Sequence, residues 1–314
     1  MGQGSLKMNF FDIINKPIGW ILKYLNEFCG NNFALAILLL TIAINVLAFP
    51  LSLRSQNSAA KQARLRPRLD ALKKKYGDDK MKYNEAMQQL YADEGVSMTG
   101  GCLPMLIRFP IFIAVYNVVR NPLTYVSGLS ADIINTAKTA LAEITGKAVA
   151  NLTELEIIEN LGALRSSVSA DVADTIGNAA SGINFNFFGI DLAQSPHFSM
   201  NIFGEFELIW LIPIISFLTA MLSGFISSKL QKKSNPDAPN MGCLLFGMPV
   251  FSLVIAFSVP GAVGLYWAYS NLVSGIIQVF QQIYFSPNHI IAKEQVRDTL
   301  KSYETEQKKL NRRS

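Results

Sequence analysis

Residues 33–50 read FALAILLLTIAINVLAFP, with Thr41 and Asn45 the only polar side chains and no charge. A helix rises about 1.5 Å per residue and a bilayer's hydrocarbon core is about 30 Å thick, so roughly 17–25 apolar residues cross it. With its flanks, this stretch is long enough. Lipid offers backbone amides no partner, so a crossing segment must close its own hydrogen bonds as a helix. Working outward, four more stretches have the same character: Leu103–Val119, Leu208–Ile226, Cys243–Val259 and Ala262–Phe280. With flanks, the five spans are placed at 33–53, 101–122, 206–228, 242–259 and 262–285. Pro260-Gly261 leaves room only for a tight turn between the last two, which predicts a helical hairpin. Half of the 314 residues are apolar and 16% are charged, against about 25% in a soluble domain. The predicted class is an all-α membrane protein of five transmembrane helices; a soluble globular fold is excluded.

Before the first span, residues 8–30 carry Phe11, Ile14, Ile18, Ile21, Leu22, Leu25 and Phe28 at helical spacing, while Asp12, Lys16, Lys23, Asn26 and Glu27 largely avoid that stripe. This predicts an amphipathic helix lying in the membrane interface. A signal peptide fits poorly, since Asn-Glu-Phe before Cys29 offers no small residues for cleavage. In the opening MGQGSLK, Leu6 stands where a myristoylation motif wants Ser or Thr, and Met8 reads as the natural start.

Charge assigns the sides. Residues 54–100 carry ten Lys or Arg and six acids, residues 229–240 three and one, and the tail 286–314 seven and four. The connection 121–207 has three bases against ten acids. The positive-inside rule puts the basic segments in the cytoplasm, the N-terminus and the acidic 123–205 insertion outside, and the C-terminus inside. In the cytoplasmic segment, Ser58–Tyr76 and Asp79–Glu94 are rich in helix formers and are split by Gly77-Asp78. An antiparallel helical hairpin is expected, either simply solvated or binding a partner. The insertion reads as helical and weakly hydrophobic, with a helix over Ala131–Ile144, and Phe185, Phe187, Phe188, Phe198 and Phe203 follow before the third span, where they are expected at the outer interface. No internal repeat is visible, which weakens a transporter built on inverted repeats.

Cys29, Cys102 and Cys243 form neither a disulfide framework nor a CxxC site, and His197 and His289 are too few for a His-based metal centre. No GxxxxGK[ST] occurs. No catalytic residue, metal or cofactor is assigned, and the chain does not read as an enzyme. What remains is intramembrane polarity, which is costly and therefore informative. Arg108, inside the second stretch, faces an insertion cost of about 2.5–3.5 kcal/mol if central. It either snorkels to the inner surface or is itself a cation held in a wet cavity between helices. Asn45, five residues before Pro50, stands at a similar height, so an Asn45–Arg108 contact is expected beside the plainer interhelical hydrogen bond. Tyr266 and Asn271 either belong to ordinary packing and interface belts or line a polar cavity. Pro104, Pro110, Pro213 and Pro249 suggest bent helices around a space.

Gly100–Phe112, GGCLPMLIRFPIF, resembles the GGCLPLLIQMPIF stretch of the YidC-type membrane protein insertases, relatives of the mitochondrial oxidase-assembly and chloroplast insertases. Ala256–Trp267, AFSVPGAVGLYW, resembles their AFSVPAGLGLYW, followed here by Ser270-Asn271-Leu272. The likeness covers Thr41–Tyr125 and Leu208–Tyr284. It implies a five-helix core around a hydrophilic groove open to the cytoplasm and lipid and closed to the outside. In that groove a nascent segment's polar end rests while its apolar part slides into lipid, without nucleotide.

Matching by position, Asn45 stands where the family has its groove arginine, and Arg108 where it has a glutamine, so the cation is expected to have changed helices. Phe49, Phe109, Phe112 and Tyr266 would lie on or near the substrate path, with ordinary packing or lipid contact the alternative. The implied partners are nascent membrane proteins, the ribosome and the Sec translocon through the basic hairpin and tail, and anionic lipids. The implied location is the bacterial inner membrane. A small-solute transporter or channel using Arg108 is the rival reading.

Overall fold

The structure is a computed structural model that describes residues 12–96, 103–196, 207–234 and 242–285, with positions 292, 296–297, 299–300, 302–304 and 307 of the tail. The proposed start at Met8 and Phe198 and Phe203 lie outside the described residues. The chain is mostly helical and divides into two compact units. One comprises residues 1–46, 108–225 and 241–274; the other comprises 47–107, 226–240 and 275–314.

In chain order the helices are α1 (Asp12–Phe28), α2 (Phe33–Arg64), α3 (Arg66–Tyr76), α4 (Lys80–Asp93), α5 (Leu103–Arg120), α6 (Pro122–Tyr125), α7 (Ala131–Thr145), α8 (Glu154–Glu159), α9 (Leu161–Leu164), α10 (Ala170–Ser181), α11 (Leu211–Ser234), α12 (Gly242–Ala256) and α13 (Gly261–Tyr284). Two short strands, β1 (Asn186–Phe187) and β2 (Ile190–Asp191), pair antiparallel. Among the described residues, the runs Phe33–Arg64 and Leu208–Leu230 are long and apolar enough to cross a bilayer. α13 matches α11 at 24 residues and carries Tyr266, Trp267, Tyr269, Asn271 and a glutamine-rich end among its apolar residues. Pro213 falls in the first turn of α11, where a missing N–H costs nothing.

In the first unit, α1 buries Asn15, Ile18, Gly19, Leu22 and Asn26, one face of a helix. Asn15 Nδ2 donates to the Tyr125 hydroxyl at 3.1 Å, and Asn26 Nδ2 to the Gly182 carbonyl at 2.8 Å. A Cβ on Gly19 would lie 2.8 Å from Tyr125 Cβ and 2.9 Å from its carbonyl oxygen, so glycine is what lets α6 come this close. Ile13, Trp20, Ile21, Tyr24 and Phe28 are exposed. The single apolar stripe expected for this helix is therefore divided: Ile18 and Leu22 face protein, Ile21 and Phe28 face out. Asn15 and Asn26 are buried beside them because the neighbouring chain supplies acceptors.

A strap, residues 184–194, joins the first turns of α2 and α13. The Asn184 N–H donates to Asn31 O (2.8 Å) and Asn184 O accepts from the Phe33 N–H (3.1 Å). Gln194 O accepts from the Gly261 N–H (2.8 Å) and Leu192 O from the Ala262 N–H (2.9 Å). Asn32 Oδ1 adds an N-cap, accepting the Leu35 N–H at 3.1 Å. Helix N-termini leave their first amides without helical partners, and the strap's carbonyls take up three of these. Phe33, Phe185, Ile190, Leu192, Val259 and Val263 pack together beneath it.

The insertion between α5 and the strap has a core of its own, formed by Leu123, Ile134, Ala137, Leu141, Leu152, Ile157, Leu164 and Ile176. Glu154 is buried at 2% exposure beside it. Its carboxylate accepts the Thr124 N–H at 2.8 Å and the Thr124 hydroxyl.

In the second unit, α2 ends at Arg64 and α3 starts at Arg66 with Pro67 in its first turn. The sequence placed the first hairpin helix from Ser58; residues 58–64 instead continue α2. The break falls at Leu65 because Pro67 has no N–H for a continuing helix but suits a helix start. Asp79 caps α4, accepting the Lys82 N–H at 3.1 Å. α3 packs on α4 with no buried residue, and Arg68 pairs with Glu94.

Burial pushes the Glu154 carboxyl above its ordinary range, against the lowering effect of the Thr124 hydrogen bonds. The folded chain thus holds this proton more tightly than the unfolded chain. The resulting stabilisation is full below the usual carboxylate range and is lost as pH rises through the elevated native value. Glu154→Gln keeps an acceptor for Thr124 but cannot ionise, so it should flatten the pH dependence of amide-exchange protection across α7–α10. Glu154→Ala strands the Thr124 N–H and should cost about 1–3 kcal/mol. Hydrogen exchange on the full chain in detergent, at acid and neutral pH, measures both; an unchanged slope in the Gln variant contradicts the assignment.

Candidate functional site

Within the first unit, hydroxyls and amides of α2, α11 and α13 gather in the buried interior. Thr41, Asn45, Ser216, Thr219 and Ser274 are each at most 9% exposed. Thr41 Oγ1 donates back to Ile37 O at 2.7 Å, and Asn45 Nδ2 to Thr41 O at 2.9 Å. The Asn45 Oδ1 accepts from Ser274 Oγ at 3.4 Å, which ties α2 to α13. Thr219 Oγ1 donates to Ser216 O at 2.9 Å, and Asn271 Nδ2 to the same carbonyl at 3.5 Å, which ties α13 to α11. Every link is an amide or hydroxyl bond, so the layer offers exchangeable hydrogen bonds rather than fixed charge.

Aromatic rings lie against this layer's helices. Phe112 stacks on Trp267 at 5.4 Å and on Tyr266 at 6.1 Å, between α5 and α13. Tyr266 is buried, and Phe109, one turn before Phe112, is exposed. Of the residues singled out in the sequence, Asn45, Asn271, Phe112 and Tyr266 come together in this unit, while Phe109 turns outward. Arg108 belongs to α5, but its side chain lies outside the described residues. Its expected contact with Asn45 therefore lies outside what is described; among the described residues the Asn45 amide bonds Thr41 and Ser274.

The second unit holds a polar cluster of its own. Gln281, 2% exposed, donates from Nε2 to Ser52 Oγ at 2.8 Å, and its Oε1 accepts from Gln56 Nε2 at 3.1 Å. Phe49 sits in this unit, its ring centroid 6.0 Å from Phe280 and 6.2 Å from Phe285.

Sequence reasoning missed Thr41, Ser52, Gln56, Ser216, Thr219, Ser274 and Gln281. A signal was present: Thr41 is four residues before Asn45, and Ser52 seven after. Gln281 follows Ser274 by seven. The spacing of two helical turns puts each set on one face. Singly, small hydroxyls in apolar helices are too common to stand out.

The family model described as "60Kd inner membrane protein" matches residues 24–289, which include both units' polar clusters. The chain belongs to that family. It is 27% identical over 269 residues to the membrane protein insertase YidC of Brucella suis biovar 1, covering 86% of this chain and 35% of the relative. Shorter, closer matches are to the proteins of the same name from Alkalilimnicola ehrlichii (40% over 115 residues, 37% of this chain and 20% of the relative) and Cellvibrio japonicus (46% over 106 residues, 34% and 19%). The chain spans about a third of the length of the Brucella relative and less of the other two in these alignments.

Hydrogen bonds between membrane helices contribute roughly 0.6 kcal/mol on average and seldom above about 1.7. Asn45→Val removes both of that amide's bonds and should cost about 1–2 kcal/mol. Ser274→Ala removes one and should cost about 0.5 kcal/mol. The two should be sub-additive in a double-mutant cycle of unfolding in mixed micelles. Strict additivity would mean that the Asn45–Ser274 bond contributes nothing.

Proposed function

We propose that this chain is a membrane protein insertase and chaperone. In this reading its five apolar stretches enclose a hydrophilic groove, and nascent membrane proteins use the groove to enter and fold in the bilayer. The single observation that carries the reading is the buried amide and hydroxyl layer across α2, α11 and α13, in a chain whose family relatives bear the insertase name. Polar groups inside hydrocarbon shorten the dry path that a substrate's polar end must cross, which lowers its desolvation barrier. Burial of the substrate's apolar helix then drives release into lipid.

Arg108 is the only Lys or Arg within the five apolar stretches. The proposal gives it the groove's positive charge, a transient partner for an acidic substrate tail. Asn45 supports this assignment, since its amide is committed to Thr41 and Ser274 and serves as a wall of the layer. Phe49, Phe109, Phe112, Tyr266 and Asn271 complete the proposed path. The orientation follows the charge asymmetry, with the N-terminus outside, the C-terminus and the α3–α4 hairpin in the cytoplasm, and the chain in the bacterial inner membrane. The ribosome, the Sec translocon and anionic lipids are the proposed partners of the basic hairpin and tail.

Site-specific photocrosslinking from positions 45 and 108, during translation of a single-span substrate with an acidic tail, tests the reading. Crosslinks to the nascent chain are expected from 108. Arg108→Gln should lower insertion of that substrate, by more than tenfold if the charge contributes about 1.4 kcal/mol or more. Arg108→Lys should retain most of it. Normal insertion by Arg108→Gln defeats the relocated charge. Solute flux through proteoliposomes without crosslinks would favour the transporter reading instead.

A further inference from the structure

The β1–β2 hairpin carries a feature that neither the fold nor the polar layer uses. Asn186 pairs with Asp191 and Phe187 with Ile190, so Phe188 and Gly189 are the two turn residues. Both have positive φ, +52° and +82°, as a type I′ turn requires. Such turns favour Asn-Gly, and a bulky residue at positive φ is strained. Among the described residues Phe188 and Asn31 are the non-glycine residues with positive φ, and asparagine tolerates it. Phe188 is also 88% exposed, the largest exposure among the exposed large hydrophobic residues described. Its ring touches Phe187 edge-on, at 4.7 Å between centroids. The turn is nevertheless firmly set: Asn186 Oδ1 accepts the Gly189 N–H at 3.0 Å, and the strap behind it is bonded to the first turns of α2 and α13. A strained aromatic thus stands on a rigid mount with almost none of its ring covered by protein.

We infer that Phe188 is a membrane-dipping finger, its ring inserted into the interface of the leaflet at which α2 begins. The mount fixes the occupant. Asn184 is bonded on both sides of Asn32, immediately before a helix long and apolar enough to cross the bilayer, so the hairpin stands where that helix leaves the hydrocarbon. α1, which leads into α2 through Cys29–Asn32, exposes Trp20 and Tyr24, the residue types of an interfacial belt. Lipid contact gives the ring the burial that the protein denies it. The proposal rests on membrane residence and not on insertase activity.

The test is a nitroxide at Phe188→Cys, with Cys29→Ser, Cys102→Ser and Cys243→Ser, in the full chain reconstituted in phosphatidylethanolamine–phosphatidylglycerol vesicles. Collision rates with oxygen and with a water-soluble nickel chelate are compared with those of a label at Ser166→Cys, an exposed residue of the insertion. The oxygen-to-nickel ratio at 188 should exceed that at 166 several-fold. A ratio equal to that at 166 places the ring in water and overturns the proposal. Low accessibility to both reagents means that a protein surface covers it, and overturns it equally. Phe188→Trp, with Trp20, Trp210 and Trp267 replaced by Phe, gives a second measurement. Its fluorescence should be quenched by acyl-brominated lipid, and unquenched emission is the contrary result.

Discussion

A polar group within hydrocarbon has no water to bond to, so the protein itself must supply its partner. Much of this structure follows from that constraint. The first amides of α2 and α13 are taken up by carbonyls of the strap at Asn184, Leu192 and Gln194. The Asn45 amide spends its donor on Thr41 and its acceptor on Ser274. Gln281 is paired with Ser52 and Gln56 in its own unit. The Asn45–Ser274 and Gln281–Ser52 bonds also join helices that apolar contact alone would leave free to slide, since lipid tails are as apolar as leucine.

The same economy shapes the proposed mechanism. A layer built only from amides and hydroxyls can exchange one hydrogen-bond partner for another at small net cost. That suits a surface which must receive a polar chain end and let it go again. A fixed cation such as Arg108 adds long-range attraction for an acidic end, and in low dielectric that attraction is stronger than at a water-exposed surface. Aromatic rings on α5 and α13, with Phe112 against Tyr266 and Trp267, add broad apolar contact.

The insertion shows how local chemistry and tertiary context divide the work. Its helices are short and its sequence only weakly hydrophobic, yet it closes a core around Leu123, Ile134, Leu141 and Ile176. Glu154, which reads in the sequence as one more acid of an acidic loop, is buried on Thr124. α1 was legible as amphipathic from its spacing. Its buried face was not, because Asn15, Gly19 and Asn26 are buried for reasons of fit and acceptor supply that no hydropathy pattern encodes.

The sequence by itself determined the helical, membrane-spanning character of the chain, the helix division at Gly77-Asp78 and the family, through two long ordered motifs; the break at Leu65 and the cap at Asp79 rest on equally local chemistry that the sequence reading passed over. These follow from local rules: apolar length, a missing N–H, a side chain that accepts from its own backbone, and residue order. Only the tertiary structure decided which face of α1 is covered, that Asn45 bonds Ser274, and that Thr41, Ser216 and Gln281 belong to polar layers. It alone showed that a strap far along the chain caps α2 and α13. Those outcomes depend on which distant acceptor arrives within about 3 Å of a given donor, and residues far apart in the chain carry no local trace of that meeting.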